Sequence, residues 1–509
     1  MTLSPSATMS LDEAAAVVLA SSPEPDVLAN AIRTIASALD GTSGVERKRQ
    51  LTAQLGLSSG PIVDLLGQSG SPGFHDDICK ILAHFLDVMS TDQIVSQFEA
   101  LFLTGIQHPQ ASVRILVLQA LEVLFDRTAA GAQEPYLPSV DLMTLILYSL
   151  EFSELRVASK IAGYLVKICA HPQGSERLFG CIAEPFEQLL TCSETIKFRV
   201  YDLAAQLSAV SSEAYERINQ SGVLLQLIEE LGSDDVLSQM AVLELFTAMA
   251  GHSLVFLRRS GALARLALAV QDGNFDDIDA VLLKSAILKF FSAIAAEQEN
   301  LIESFESEYR LLDSIEKYLD CDRLELQESA VVFLGNAVST EAGIRLLVAR
   351  PSLLGNFAYT VKRSSGSLRI HCIKALSCIL SATDDASTHA VYREVRALLD
   401  MVKTLQADLR SAFDETRIPA YALTKSIAAH RWGLEELSQH PDFLTFLLDR
   451  SMDTSHSGKE WRFAIAQTVV AHNAVQTLFD PAVLGQFRQY VKQGPFSMPL
   501  VPHVAFESA

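Results

Sequence analysis

The sequence has few features of a secreted or membrane protein. Its seven cysteines include no C-x-x-C pair, and most stand in apolar segments with helical spacing. This pattern is typical of reduced thiols in a cytosolic or nuclear protein and not of a disulfide framework. No apolar run reaches about 18 residues, so no membrane span is predicted. The first ten residues contain no lysine or arginine, which argues against a signal peptide. We therefore expect a protein of the cytoplasm or nucleus.

Basic residues are also scarce. The chain has 40 lysines and arginines against 61 aspartates and glutamates, which gives a formal net charge of −21 and a pI of about 5.0. Nucleic acids and anionic membranes are bound through basic surfaces, so neither is expected as a partner. An acidic chain is compatible with a protein partner that carries a basic patch.

Convincing catalytic motifs are missing as well. No G-x-x-x-x-G-K-[ST], G-x-G-x-x-G or H-E-x-x-H sequence occurs. The G-x-S-x-G match at 56–60 is followed by Pro61, whereas a nucleophile elbow needs a strand before the serine and a helix directly after it. The histidines and cysteines form no four-ligand set, and paired carboxylates such as Asp234-Asp235 stand where they cap helices. We predict no catalytic residue, metal site or cofactor.

Signals for strands are absent, and a helical pattern recurs instead. No proline occurs from Phe186 to Arg350, which suits uninterrupted helices. The pattern is clearest in HPQASVRILVLQALEVLF, and its repeats are spaced by 40 to 48 residues. The equivalent anchor positions are Arg114, Arg156, Arg199, Gln239, Lys284, Glu328, Arg369, Arg417 and Arg462.

The residues around each anchor indicate a stack of helical repeats. Apolar residues follow the anchor at offsets 1, 4, 7 and 10, as in Arg114 and Arg369, and therefore share one helical face. A small residue recurs at offset 6, as in Ala120 and Ala375, where it would let two helices approach closely. Another apolar segment precedes each anchor helix, which predicts helix pairs. A period of about 44 residues is typical of HEAT and armadillo repeats. We predict an all-α solenoid of about 10–11 repeats, curved with a concave face that binds another protein.

The ends of the chain and one internal stretch differ from this pattern. Residues 1–10 are predicted to be a flexible tail, and 11–493 a single solenoid. Residues 56–73, rich in glycine and serine, are predicted to form an irregular connection. The proline-rich residues 494–509 are predicted to be an extended C-terminal tail.

Seven of the nine anchors are basic, which has two interpretations. The first is a structural ladder, in which each guanidinium bonds carboxylates or carbonyls of a neighbouring repeat and fixes the stacking. The second is a basic stripe for an acidic ligand. We favour the ladder because acids such as Glu154 stand nearby. The predicted ladder residues are Arg114, Arg156, Arg199 and Arg369.

Two other features also have alternative interpretations. Residues 301–330 hold nine acidic groups, which we interpret as a solvated helix face, with a docking patch as the alternative. Trp432 and Trp461 are predicted to be buried, with an interface anchor as the alternative. Neither is followed one turn later by asparagine, so the tryptophan–asparagine ladder of an importin-like groove is absent.

From about residue 100 onward the chain resembles the family of the 26S proteasome non-ATPase regulatory subunit 5. The similarity lies in the number, order and spacing of several segments and in no catalytic signature. These segments are KFRVYDLAAQLSAVS from Lys197, SGVLLQLIEEL from Ser221, DDVLSQMAVLELFTAMA from Asp234, LRIHCIKALSCIL from Leu368, LDRSM from Leu448 and LGQFRQYVKQGPF from Leu484.

The resemblance implies a non-enzymatic chaperone for assembly of the regulatory-particle base of the 26S proteasome. Members of the family bind the C-terminal domain of a proteasomal AAA ATPase, regulatory subunit 7. They hold it in a module with a second ATPase and a large non-ATPase scaffold subunit, and hinder premature docking on the core particle. The chain is expected to be monomeric on its own. The alternative is a generic HEAT-repeat scaffold for another client.

Candidate contacts with the ATPase lie on the anchor helices of the central units. These positions stand off the apolar stripe and are therefore expected to face solvent. They are Tyr201, Gln206, Lys289, Asn336 and Lys374.

Overall fold

Every regular element in the described part of the chain is helical. The structure, a computed structural model, describes residues 9–20, 23–56, 59–68, 73–130, 134–152, 154–297, 301–453 and 455–497. Within these ranges there is no strand, and the predicted all-α class is confirmed. The chain divides into two compact units, unit 1 (residues 1–227) and unit 2 (residues 228–509), where the sequence predicts one solenoid.

Unit 1 is a series of helices joined by short turns. Helices α2, α5, α7, α9 and α12 pack side by side in chain order. Two short 3-10 helices, Leu65–Gly67 and Ser149–Glu151, follow α4 and α8. The helices are α1 (Leu11–Val18), α2 (Pro25–Asp40), α3 (Val45–Gln54), α4 (Ser59–Asp64), α5 (Phe74–Val88), α6 (Thr91–Gly105), α7 (Ala111–Ala129), α8 (Val140–Tyr148), α9 (Leu155–Cys169), α10 (Pro172–Cys181), α11 (Ala183–Leu190), α12 (Glu194–Ser208) and α13 (Ser212–Gln220).

Unit 2 continues the same kind of stack. Helix α14 (Val223–Glu230) contains the division between the units. The remaining helices are α15 (Val236–Ala248), α16 (Ala250–Arg259), α17 (Ala262–Gln271), α18 (Ile278–Glu297), α19 (Leu301–Tyr309), α20 (Leu311–Asp320), α21 (Leu324–Ala337), α22 (Glu341–Val348), α23 (Pro351–Arg363), α24 (Gly366–Ile379), α25 (Asp385–Arg396), α26 (Met401–Leu409), α27 (Asp414–Ala428), α28 (Arg431–Ser438), α29 (Pro441–Leu448), α30 (His456–Ala471), α31 (Val475–Leu478) and α32 (Pro481–Gln493).

The predicted anchor helices form the continuous layer of each unit. In unit 2, helices α15, α18, α21, α24, α27 and α30 pack one against the next, and each carries one anchor position. Nine of the 14 residues of α21 are buried, among them Leu326, Phe333 and Leu334, because the helix packs between α18 and α24 and against α20. Each such side chain contributes about 1.5–3 kcal/mol when it leaves water. The stack therefore supplies the buried surface that a single repeat lacks.

The repeats of unit 2 contain three helices, and the prediction of helix pairs was wrong. The order α16, α17, α18 recurs through α19–α21, α22–α24, α25–α27 and α28–α30. The first helix of each repeat has 8 to 12 residues and the second has 8 to 13, so the two are similar in length, and only the second was predicted. Gly261 separates α16 from α17 with a φ of 76°, a left-handed conformation that glycine adopts without a Cβ clash.

Prolines mark several of the helix starts. Pro172, Pro441 and Pro481 are the first residues of α10, α29 and α32, where the missing N–H is not needed. Pro419 differs, because it is the sixth residue of α27 and lies inside the helix. No single helix in the described ranges is long and apolar enough to span a bilayer. Taken together, α15 and α16 would have the length and composition of a membrane-spanning segment, but the pair is bent by 119°.

The ends of the helical region fall near the predicted boundaries. Helix α1 begins at Leu11, and α32 ends at Gln493. Residues 1–8 and 498–509 of the two predicted tails lie outside the described residues. In the stretch predicted as irregular, 56–73, helix α4 and a 3-10 helix occupy residues 59–67, and residues 57–58 and 69–72 lie outside the description.

Candidate partner-binding surface

The anchor side chains cap the ends of the helices that precede them. Arg114 is 1% exposed and donates to the carbonyl oxygens of His108 and Pro109, which follow α6. Arg462 is 3% exposed and donates to the Phe446 carbonyl at 3.0 Å, at the end of α29. The last carbonyls of a helix have no partner within the helix. A buried cation that reaches them therefore fixes the corner between the second and third helices of a repeat.

Several anchors also reach the next repeat. Arg114 Nη2 lies 2.6 Å from Glu154, the residue before α9. Arg369 donates to the Val361 carbonyl at 3.2 Å and to Asp408 on α26 at 2.7 Å. Charge-assisted bonds of this kind are stronger than neutral ones. Arg114 and Arg369 thus connect successive repeats as the ladder interpretation requires.

Arg199 has carbonyl partners in an earlier element. Its Nη1 donates at 2.9 Å to Leu150, in the 3-10 helix after α8, and also to Phe152 just beyond that helix. Helices α9, α10 and α11 separate this pair from α12 along the chain. The contact therefore joins neighbouring layers of unit 1.

The structure corrects two of the anchor assignments. Arg156 is exposed and makes no hydrogen bond or ion pair with the described residues; it lines an open groove beside Lys80 and is not part of the ladder. In α21 the capping residue is Gln327, whose Nε2 donates to the Cys321 carbonyl, and not its neighbour Glu328. A periodic pattern predicts where a helix lies, but it leaves the position of the capping residue uncertain by one residue.

A second set of arginines caps helices in the preceding repeat, and the sequence analysis missed it. Arg363, the last residue of α23, donates to the Leu319 carbonyl on α20 at 2.8 Å. Arg323 donates to the Phe275 carbonyl at 2.9 Å, which places the start of α21 beside the start of α18. These residues stand about one period after the carbonyls they bond. That spacing is the signal that could have found them.

Two of the five predicted contact residues lie in unit 1, and one of them is wrong. Tyr201 is 1% exposed and meets Phe198 edge-to-face at 5.6 Å, so it offers no surface to a partner. Tyr201 faces the core because α12, its anchor helix, is buried on two sides. Gln206 is half-buried and donates to Asp202, one turn earlier, at 2.9 Å.

The other three lie together in unit 2. Lys289 on α18 and Lys374 on α24 are exposed, and Asn336 on α21 is half-buried. With Glu328 and His371 they form what we call the central face. Because α21 packs between α18 and α24, this face spans three successive repeats.

Small polar contacts and one glycine hold these three helices close together. Ser329 donates to Ser285 at 2.8 Å, and Asn336 donates to Ser292 at 3.3 Å, both between α21 and α18. On the other side, a Cβ added at Gly335 would lie 2.9 Å from the Ala375 Cα. Ala375 is the predicted small residue at offset 6, and the close approach predicted for it is confirmed here.

Charges converge at the centre of this face. Burial lowers the pKa of His371, Glu328 opposes that effect, and the positive charges of Lys374 and Lys289 lower the pKa further. The imidazole is therefore neutral at neutral pH. One carboxylate oxygen of Glu328 is buried and has no hydrogen-bond partner among the described residues. The central face thus offers two exposed ammonium groups, whereas the unpaired Glu328 oxygen is buried and does not reach the surface.

An exposed apolar row lies at the starts of the anchor helices of unit 2, and no sequence signal pointed to it. Leu237 on α15 is 71% exposed, Ile278 on α18 is 65% exposed, and Leu324 on α21 is 47% exposed. Phe413, just before α27, is 73% exposed. We call these four residues the apolar edge. Exposed carboxylates flank each of them, among them Asp277 beside Ile278. The start of α24 carries no exposed apolar residue, so the edge is interrupted between Leu324 and Phe413. Exposed apolar side chains beside charges are candidate contacts for a protein partner.

The tryptophans take no part in these surfaces. Trp432 is buried, stacks on His389 and His430, and donates to Thr388 at 3.3 Å. Trp461 is half-buried. Within the described ranges no three metal-ligating side chains come together.

The chain is a helical-repeat protein, and its exposed candidate surfaces are the central face and the apolar edge. Its residues 46–509 match the model of the family described as proteasome non-ATPase 26S subunit. The chain belongs to this family. Membership indicates a proteasome-related role with proteasome components as partners, and it favours a non-catalytic scaffold. The match begins at residue 46, earlier than the resemblance near residue 100 indicated.

Relatives named 26S proteasome non-ATPase regulatory subunit 5 are similar over most of the chain. The Bos taurus protein is 22% identical over 474 residues, which cover 91% of this chain and 92% of that protein. The Homo sapiens protein is 22% identical over 477 residues, with the same coverage. The Drosophila melanogaster protein is 24% identical over 458 residues and 85% of each chain.

Solved structures of helical-repeat proteins are more distant. An engineered protein has a TM-score of 0.39 at 15% identity and covers 82% of this chain and 98% of its own. A designed armadillo repeat protein has a TM-score of 0.38 at 18% identity and covers 48% of this chain and 98% of its own. These scores are low, so the fold assignment rests on the helix contacts within each unit.

Proposed function

We propose that this protein is a chaperone for assembly of the regulatory-particle base of the 26S proteasome. It binds the C-terminal domain of the AAA ATPase regulatory subunit 7 and holds that subunit in a module with a second ATPase and a large non-ATPase scaffold subunit. While bound, it hinders premature docking of the ATPases on the core particle. The observation that carries the proposal is family membership over residues 46–509. We propose the cytoplasm, and also the nucleus, as its location.

The exposed chemistry of unit 2 supports a protein partner. The central face presents the exposed Lys289 and Lys374, and the apolar edge adds side chains whose burial against a partner is favourable. Both surfaces lie on helices held by packing and hydrogen bonds. Little backbone order is therefore lost on binding, which lowers the entropic cost of association.

The mechanism needs no chemistry from the chaperone. A bound ATPase domain is held by contacts alone, and release requires only a later partner that competes for the same surface or clashes with the repeats. The affinity of such a complex is set by the exposed contacts, and it changes when those contacts are altered.

The direct test is complex formation between the purified full-length chain and the proposed partner domain. The chain is mixed at micromolar concentration with the isolated C-terminal domain of regulatory subunit 7 and followed by size exclusion with light scattering. We expect a one-to-one complex. Two separate peaks, with both proteins folded by circular dichroism, would reject this partner and leave the alternative of a repeat scaffold with another client.

A further inference from the structure

A small cavity near the C-terminal end of unit 2 is lined by cations. Its volume is about 140 Å³, and Arg450, Lys459 and Arg462 line it together with Asp453 and Tyr490. Residues 495–497 close one side. Arg462 is buried and Arg450 and Lys459 are half-buried, so three cations line the cavity against one carboxylate.

The buried guanidinium in this cavity has unused hydrogen-bonding capacity. Arg462 donates through Nε to the Tyr421 hydroxyl at 2.8 Å, and through Nη1 to carbonyls of α29 and to that of Asp449 at 2.6 Å. Its Nη2 is buried and has no partner among the described residues. An unpaired buried donor costs about 1–3 kcal/mol, so a group that accepts from Nη2 would be stabilised there.

The other two cations contribute in different ways. Arg450 stacks at 3.9 Å on the Tyr490 ring and donates to the carbonyls of Gly494, Pro495 and Tyr490, so both of its terminal nitrogens have partners and it supplies mainly charge to the cavity. Lys459 stands in the second turn of α30, and its side chain makes no hydrogen bond or ion pair with the described residues. The positive end of the α30 dipole lies on the same side.

The one carboxylate that lines the cavity is already occupied. Asp453 accepts hydrogen bonds from Ser455 and from the Tyr421 hydroxyl, and it pairs with Arg417 at 3.0 Å. No direct ion pair joins it to Arg450, Lys459 or Arg462 in the described part of the chain. Burial raises the pKa of Tyr490, so its hydroxyl stays protonated and neutral.

From this geometry we propose that the cavity binds a small oxyanion of the phosphate class, held by hydrogen bonds from Arg462 Nη2 and Lys459 Nζ on α30 and by the charge of Arg450 after α29. Tetrahedral oxyanions offer several acceptor oxygens in different directions, which suits donors and charges that surround one cavity. The site lies apart from the central face and from the apolar edge, and it goes beyond the proposed chaperone function.

The test is calorimetric titration of the full-length protein with sodium phosphate, against sodium chloride at matched ionic strength. We expect saturable binding of phosphate. Lys459→Ala should weaken the affinity about tenfold, since one charge-assisted bond is lost. The matched control is Lys403→Ala, an exposed lysine on α26 outside the cavity, which should bind as the wild type does. Circular dichroism checks that both variants are folded.

Thermal unfolding gives a second readout. Phosphate also stabilises folded proteins without binding to a site. The informative quantity is therefore the difference between two rises in the thermal unfolding midpoint on adding phosphate, that of wild type and that of Lys459→Ala. Binding at the site requires the larger rise in wild type. A parallel titration with O-phosphoserine separates the sources of the anion. Binding of both ligands points to a phosphorylated side chain, and binding of phosphate alone to the free ion. No saturable binding up to roughly 10 mM, or equal affinity in Lys459→Ala, would overturn the site.

Discussion

At the scale of single residues, two arginines at equivalent positions of neighbouring repeats have opposite roles. Arg114 is buried and bonds carbonyls of the preceding turn as well as Glu154 of the next repeat. Arg156 is exposed and has no such contacts with the described residues. The sequence places both on anchor helices. Only the packing of α9 decides that the second one points into solvent.

This difference predicts unequal costs of replacement. Arg114→Met should lower the free energy of unfolding by about 3 kcal/mol, because it leaves buried carbonyls and a carboxylate without their cation. Arg156→Met is the matched control and should change it by no more than about 0.5 kcal/mol. Denaturant titration followed by circular dichroism measures both. Equal effects in the two variants would contradict the assignment of Arg114 to the ladder.

Asp453 gives a prediction about pH. Burial alone would raise the pKa of this carboxyl, but hydrogen bonds from Ser455 and Tyr421 and the charge of Arg417 hold it below its ordinary value of 3.8. A pKa lowered by folding contributes stability that is present above the unfolded value and is lost as the pH falls through the folded one.

The corresponding variant is Asp453→Asn. It should be less stable than wild type near neutral pH, and the difference in free energy of unfolding should narrow as the pH drops below about 3.8. Urea titrations at several pH values measure this difference. A gap that stays constant or widens under acid conditions would show that the charge of Asp453 is not what stabilises the fold.

At the scale of helices, close packing depends on a few small residues. Gly335 on α21 lies against Ala375 on α24 with no room for a Cβ. Gly355 on α23 is also within a helix but has nothing within 4 Å of the position where a Cβ would stand. In a helix, alanine is more favourable than glycine by about 1 kcal/mol. The space around each glycine therefore decides whether its replacement by alanine stabilises or destabilises the protein.

We therefore expect opposite results from the same substitution. Gly335→Ala should destabilise the protein by about 1–3 kcal/mol through overpacking against α24. Gly355→Ala should stabilise it by about 0.5–1 kcal/mol. Thermal unfolding midpoints of the two variants provide the comparison, and a stabilised Gly335→Ala would show that α21 and α24 are less tightly packed than described.

The helices also show how much of the fold could be predicted from the sequence. The anchor helices and the small residue at Ala375 follow from a period of about 44 residues, because core-facing side chains must recur whenever a repeat stacks on the last. Tyr201 shows the limit. A single helix pattern defines one buried face, whereas α12 packs on two sides, and its second buried face depends on neighbours that the periodicity does not describe.

The apolar edge could not be predicted for a related reason. Leu237, Ile278, Leu324 and Phe413 look like ordinary apolar residues at helix starts, and only the three-dimensional placement of those starts shows that they are exposed. The first helices of the three-helix repeats were missed because only one apolar segment was expected before each anchor helix, and the second helix supplied it.

At the scale of the whole molecule, the protein is a helical-repeat member of the proteasome non-ATPase 26S subunit family, and we propose that it holds a partner on exposed helix surfaces. Its core is formed by stacked repeats, and the groups free for binding stand on the same helices. Substitutions on the central face should therefore alter binding while the fold stays intact.

The decisive measurement is the affinity of the regulatory subunit 7 C-terminal domain for a double variant of the central face, by calorimetry. Lys289→Glu with Lys374→Glu should weaken binding about tenfold or more, since two contacts of about 1 kcal/mol each are lost and the charge is reversed. The control is Lys362→Glu with Lys403→Glu, two exposed lysines on α23 and α26, which should bind as the wild type does. An unchanged affinity in the Lys289/Lys374 variant would contradict the assignment of this face to the ATPase.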